Sequence, residues 1–203
     1  MKKLTLDQVV EMMAMQDKLN QQTQDKIDPS TTWRKADRPW YRYTYMEAAE
    51  LQDDLGGCHW KPASGRSQIQ QHLEIIDILH FSLSQALQDN VDAAELVELD
   101  LAYTDSVTAS DLCDDIVYKS FIHEETIEAI CALATRCGVD DIAKLYAAKC
   151  ALNEIRQEHG RVAKAGLDDN DILEVLLSDV PDLDSLEAIK QKVKEDFLLV
   201  VGL

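Results

Sequence analysis

The sequence predicts an all-α fold of the helical-bundle kind, and three observations carry that reading. Leu, Ala, Glu, Gln, Asp and Ile dominate the composition, and these are helix-compatible residues. Only 7 Gly and 4 Pro are present, too few for a turn-rich β-protein. Runs alternating apolar and polar β-formers are scarce, so strands have little support. At 203 residues the chain suits one sizeable core. A single all-α domain spanning 1–203 is the most economical division, with 90–120 as a peripheral helical insertion.

The elements follow in order. Residues 6–26 read as a first helix whose stripe runs through Val9, Met13, Gln16 and Asn20. Residues 28–40 hold Pro29, Trp33, Pro39 and Trp40 and read as a loop. A second helix covers 41–55 and stops at Gly56-Gly57. A loop with Trp60, Lys61, Pro62 and Gly65 leads to a third helix over 67–89, apolar on nearly every side and therefore buried. Acidic residues 90–120 show short helical patterns near 92–102 and 109–119. Further helices are predicted over 122–137, stopped by Cys137-Gly138, and 141–158, capped by Asp140 or Asp141 and stopped at Gly160. The last two cover 171–178 and 184–200.

A formal net charge of −18 argues against a nucleic-acid polymer as partner, because Lys and Arg must supply the counterion-release energy. It leaves room for a small phosphate ligand bridged to acids by cations. The five cysteines are odd in number and form no C-x-x-C pair, which fits a reducing compartment without a zinc site or disulfide framework. No apolar stretch follows Lys2-Lys3 and none reaches the ~20 residues that span a bilayer. A cytoplasmic protein without membrane contact is the expectation.

The chemistry concentrates in acids. Glu74 and Asp77 lie one turn apart on the apolar third helix. A buried carboxylate costs several kcal/mol unless it is paired or ligates a metal. Glu47 and Glu50 repeat the spacing on the second helix. Two such pairs make a four-carboxylate cage for a hard divalent cation such as Mg²⁺ or Mn²⁺. The blander alternatives are an ion pair with Lys or Arg for Glu74/Asp77 and a solvated face for Glu47/Glu50. His80 follows Asp77 at the spacing of a di-iron motif. No second such motif exists, since Ser120 precedes His123 and Arg156 precedes His159 at the critical position.

Gln16 and Asn20 put amides on a core-facing stripe, where they need partners and can read a base edge. The alternative is a helix end emerging into solvent. Lys149, Asn153 and Arg156 share a helix face, with Arg161, Lys164 and Asp168-Asp169-Asn170 just beyond. Such a cluster suits a triphosphate tail, or is an ordinary solvated face.

Taken in order, Gln16-Asp17-Lys18-Leu19-Asn20, Glu47-Ala48-Ala49-Glu50, Glu74-Ile75-Ile76-Asp77-Ile78-Leu79-His80-Phe81, Lys149-Cys150-Ala151-Leu152-Asn153-Glu154-Ile155-Arg156-Gln157 and Gly166-Leu167-Asp168-Asp169-Asn170 resemble the dimeric all-α dUTPases. These belong with the MazG-like enzymes to the all-α nucleoside triphosphate pyrophosphatases. The resemblance covers residues 6–89 and 122–175. It implies a homodimer that cleaves dUTP, and also dUDP, to dUMP with Mg²⁺. Carried across, Glu47, Glu50, Glu74 and Asp77 would hold metal, and Glu50 would orient or deprotonate the attacking water. Gln16 and Asn20 would read uracil. Trp60, His80 and Phe81 would wall base and sugar, His80 and Phe81 excluding a 2′-hydroxyl. Lys149, Asn153, Arg156, Lys164 and Asn170 would contact sugar or phosphates. The sequence departs from the family in the loop between the acidic helices, which keeps one Trp and one Lys, and in a short basic loop after His159. A sibling pyrophosphatase with another base preference and a non-enzymatic helical interaction protein are the competing readings.

Overall fold

Side-chain caps start most of the helices in the computed structural model, which describes residues 4–57, 60, 66–97, 103–164, 166–178 and 183–203. Helix α1 (Leu6–Ile27) begins at a capping box in which Thr5 and Gln8 satisfy each other's backbone N–H. A 3-10 turn at Trp33–Ala36 precedes α2 (Trp40–Asp54). Ser67 and Gln70 cap α3 (Gln68–Gln88) in the same way as Thr5 and Gln8. The short α4 (Ala93–Val97) follows, then α5 (Ala109–Phe121), boxed by Thr108 and Asp111. Helix α6 (Ile127–Arg136) is followed by α7 (Ile142–His159), whose cap is Asp141 accepting from the Lys144 N–H. Asp168 and Asp171 box α8 (Asp169–Leu177), and Ser185 caps α9 (Leu186–Val201). Among the described residues there is no strand, so the fold is all-α.

The widest departure from the expected boundaries lies between α5 and α6. A helix over 122–137 is expected, but α5 runs on to Phe121 and α6 starts only at Ile127. His123 takes a left-handed φ of 61°, which stops α5 there. The Glu124 N–H then turns back to the Lys119 carbonyl at 2.9 Å. A histidine is a weak predictor of that conformation, since glycine or asparagine more often adopts it. Gly56, Gly138 and Gly160, all with positive φ, end their helices where the sequence puts the stops. Of the expected 92–102 helix, residues 98–102 lie outside the described residues. So do Cys58, His59 and residues 61–65, including Lys61, and the Pro181-Asp182 turn.

Helix α3 lies at the centre. Leu73, Ile75, Ile76, Ile78, Leu79 and Leu83 are all buried, so apolar residues line most of its circumference. Its closest companion is α2, which also packs on α5. Leu112, Cys113 and Ile116 of α5 and Leu96 of α4 join the same core, so the 90–120 segment contributes to it. On the other side α7 packs on α1 and α9. Ala143, Ala147, Ala148 and Ala151 are buried on α7 and present little bulk to the neighbouring helices. Glu154, on the same helix, is buried and paired with Lys190 of α9 at 2.8 Å.

Among the described residues Cys113, Cys131, Cys137 and Cys150 are free thiols. Burial pushes those of Cys113, Cys131 and Cys150 up to about 12, so they pack as small apolar residues and are poor nucleophiles. No described helix is long and apolar enough to cross a membrane.

Candidate functional site

The pairing of α2 with α3 brings the two acidic pairs together. Ala48 and Leu51 are buried on α2, which leaves Glu47 half-buried and Glu50 exposed at the rim. Glu74 is half-buried between Leu73 and Ile75 on α3. Carboxylate oxygens of Glu47, Glu50 and Glu74 all lie within 4.8 Å of one another. Asp77, one turn further along α3, adds its charge to Glu47 and Glu74.

Two cations balance part of this charge. The Lys149 ammonium, buried on α7, donates to Asp77 at 2.9 Å. Arg66, just ahead of α3, bridges Asp54 at 3.1 Å and Glu74. The balance is incomplete. Burial, then the charges of Asp77, Glu74 and Glu50, together with a hydrogen bond to Glu74, push the Glu47 carboxyl up to about 8. Burial and Asp77 raise Glu74 as well, opposed by Arg66 and Lys149.

The raised carboxyl has a stability consequence. Between its ordinary 4.5 and about 8, Glu47 holds a proton in the folded chain that the unfolded chain has lost. The metal-free fold therefore weakens as pH rises through that window. His80 acts in the opposite sense, because burial holds its imidazole down to about 4 from 6.5. Below 6.5 the unfolded chain takes a proton that the folded chain refuses, so stability also falls toward acid. The two windows overlap between 4.5 and 6.5, where their effects offset each other, so the expected optimum is a plateau over that range. In urea titrations across pH 4–9, Glu47→Gln loses most of the decline above pH 6.5 and uncovers the His80 decline below it. An unchanged alkaline arm would show that Glu47 is ionised in the fold.

A closed polar network lies beneath the helices. Gln16 is 2 % exposed and His80 4 % exposed. The Gln16 Oε1 accepts the Tyr146 hydroxyl at 2.7 Å and lies 2.6 Å from His80 Nδ1. That oxygen only accepts, so Nδ1 carries the hydrogen. His80 Nε2 is then an acceptor, with no partner among the described residues. The Gln16 amide nitrogen donates to Asn20 Oδ1 and Ser84 Oγ, both at 2.9 Å, and Asn20 donates to Ser84 at 3.0 Å. This end of the stripe is buried in the fold, which overturns the alternative of a helix end emerging into solvent. Both amides are already engaged by neighbouring side chains, so reading a base would require exchanging one of these bonds.

The other residues singled out by sequence are spread around this centre. Phe81 stacks on Trp40 with ring centroids 6.2 Å apart and packs against Tyr43 at 5.4 Å. Trp60 is 72 % exposed in its loop. Arg156 forks onto Asp169 at 2.8 and 2.6 Å and donates to Asn170 Oδ1 at 2.9 Å. Lys164 donates to the Val200 carbonyl, and Asn153 is half-buried. Lys149 and Arg156 thus have acidic partners inside the chain, so the patch is less open than the sequence suggests. Arg66, Tyr146 and Ser84 carry no motif and went unsingled in the sequence. A cation shortly before the Ser67 cap, eight residues ahead of Glu74, was the available hint for Arg66.

No curated protein matched the chain. A family model described as dUTPase matches residues 8–161, well over half of the sequence. The matched span contains α2, α3 and α7, and with them Glu47, Glu50, Glu74, Asp77 and Lys149. This chain therefore belongs to the dUTPase family.

Proposed function

We propose that the chain is a Mg²⁺-dependent enzyme, with Mn²⁺ able to substitute, that hydrolyses dUTP and dUDP to dUMP and releases pyrophosphate or phosphate. The observation that carries this reading is the convergence of Glu47, Glu50 and Glu74 within 4.8 Å, with Asp77 beside them. The donor set fits a hard divalent cation, since it is all carboxylate oxygen and retains uncompensated negative charge. Glu47, Glu50, Glu74 and Asp77 would hold the ion. When bound, it supplies charge neutralisation at the phosphate oxygens and lowers the pKa of a coordinated water.

The protein's own groups do the rest. Glu50 is the exposed member of the cluster and takes the proton of the attacking water. Lys149 and Arg66 keep Asp77 and Glu74 oriented and add positive charge near the transferred phosphoryl group. Arg156, Lys164, Asn153 and Asn170 contact sugar and phosphates. Gln16 and Asn20 read the uracil edge, with the Gln16 oxygen committed to Tyr146 and His80 and its NH₂ end turned to Asn20 and Ser84. His80 and Phe81 pack against the 2′ carbon, and Trp60 closes over the base. A second copy of the chain covers the apolar side chains exposed at the end of α9, Leu199, Val200 and Leu203.

The test is a panel of dUTP, dUDP, dCTP, dTTP and UTP, with Mg²⁺ or with EDTA. Pyrophosphate release confined to dUTP, phosphate release from dUDP, and loss of both in EDTA are expected. Equal turnover of dCTP or dTTP would make this a sibling pyrophosphatase. No turnover, with no Mg²⁺-dependent rise in melting temperature, would leave a helical interaction protein.

A further inference from the structure

Arg66 has a fixed backbone and a mobile head beside the acidic cluster. It directly precedes Ser67, whose N–H and hydroxyl both belong to the capping box with Gln70, so the chain here is pinned to the start of α3. Ser67 also donates to Glu174 at 3.2 Å, which ties the same turn to α8. The Arg66 side chain is long and 39 % exposed, so it can swing while its backbone stays in place.

Its two acidic partners differ. Asp54, on the last turn of α2 and one turn beyond Glu50, has a side chain only 4 % exposed and lies 3.1 Å from the guanidinium. A buried carboxylate stripped of its cation is strongly destabilised, so this contact is the one to keep. Glu74 is half-buried, shares a hydrogen bond with Glu47 besides its contact with Arg66, and is one of the three carboxylates within 4.8 Å. A divalent cation held by that group supplies the positive charge that Arg66 supplies to Glu74 here, and the two like charges repel. Burial pulls the guanidinium down, but Glu74, Asp54 and Glu50 outweigh it, so Arg66 stays charged.

We propose that Arg66 is a two-position arginine. It rests on Glu74 in the metal-free cluster, leaves Glu74 once the cluster holds a divalent cation, and then donates to a phosphate oxygen of the nucleotide while still tethered to Asp54. Arg66 thereby contacts substrate, and Asp54 is its positioning residue. The inference rests on the metal-binding reading of Glu47, Glu50, Glu74 and Asp77. A planar guanidinium carries five donors, enough to serve a carboxylate and a phosphate at once. The exchange couples the two ligands. Arg66 opposes binding of the cation alone and favours the cation together with the triphosphate.

The test measures Mn²⁺ binding without nucleotide, by calorimetry and electron paramagnetic resonance, and α,β-imido-dUTP binding at saturating Mg²⁺. Arg66→Gln is expected to bind Mn²⁺ about tenfold more tightly than the parent, the order of one unit charge removed from beside a divalent ion at a half-exposed site. The same variant binds α,β-imido-dUTP about tenfold more weakly, the low end for a charge-assisted hydrogen bond. Asp54→Asn weakens both, because a negative charge is lost and Arg66 loses its tether. A purely structural role for Arg66 would weaken both instead of moving them in opposite directions. If the stranded Asp54 unfolds the Arg66→Gln chain, the double variant with Asp54→Asn strands no charge, and it binds Mn²⁺ more tightly than Asp54→Asn alone. Mn²⁺ binding left unchanged or weakened by Arg66→Gln, or nucleotide binding left unchanged, would overturn the proposal with the metal reading intact. No Mn²⁺ binding by the parent would sink that reading, and this inference with it.

Discussion

Glu50→Gln is expected to lower dUTP turnover by about 10³-fold, the middle of the range for removing a general base. The substitution keeps the size of the side chain and removes only its charge and basicity. Glu50 is exposed, so the fold should be indifferent to the change. Its oxygen is one of three brought within 4.8 Å, so the Mg²⁺-induced rise in melting temperature should shrink in parallel. Loss of turnover with a parental metal shift would assign Glu50 to proton transfer alone. Turnover within a fewfold of the parent would remove Glu50 from the chemistry and with it the proposed roles of the cluster.

Lys149→Met should be the most destabilising single change at the site. Lys149 is 2 % exposed, and its ammonium lies 2.9 Å from Asp77. Removing one partner of a buried ion pair costs about 3–5 kcal/mol, because the remaining charge is left without compensation. The Asp77 side chain is 27 % exposed, and water recovers part of that, which puts the expectation near 3 kcal/mol in urea titration. Adding Asp77→Asn to Lys149→Met should return most of the loss, since no charge is then stranded. Mg²⁺ should narrow the gap between Lys149→Met and the parent by supplying the missing positive charge. A loss below about 1 kcal/mol would mean that the pair contributes no more than an exposed one.

Lys149 also shows where sequence reading stops. The sequence groups it with Asn153 and Arg156 as a patch for a phosphate tail, because all three share a helix face. In the fold Lys149 points to Asp77 and Arg156 to Asp169. The spacing along α7 is a local property, while the partner of each cation depends on which helix lies against that face. The same holds for Gln16, whose amide is recognisable as an oddity on an apolar stripe. Its main partners, His80 and Tyr146, come from helices 64 and 130 residues away. Arg66 reaches Glu74 from just ahead of the Ser67 cap, across the first turns of α3.

What the sequence by itself determined is what arises within one or two helical turns. The helix-rich composition, the caps at Thr5, Ser67, Thr108 and Asp168, the glycine stops and the spacing of Glu47 with Glu50 and Glu74 with Asp77 all act at that range, where backbone geometry dictates the outcome. The tertiary structure alone decided that these pairs face each other and that Lys149 and Arg66 hold their charge. Those relations arise from burying apolar faces of helices distant in sequence, and burial is non-directional, so the pattern of a single helix does not name its neighbour.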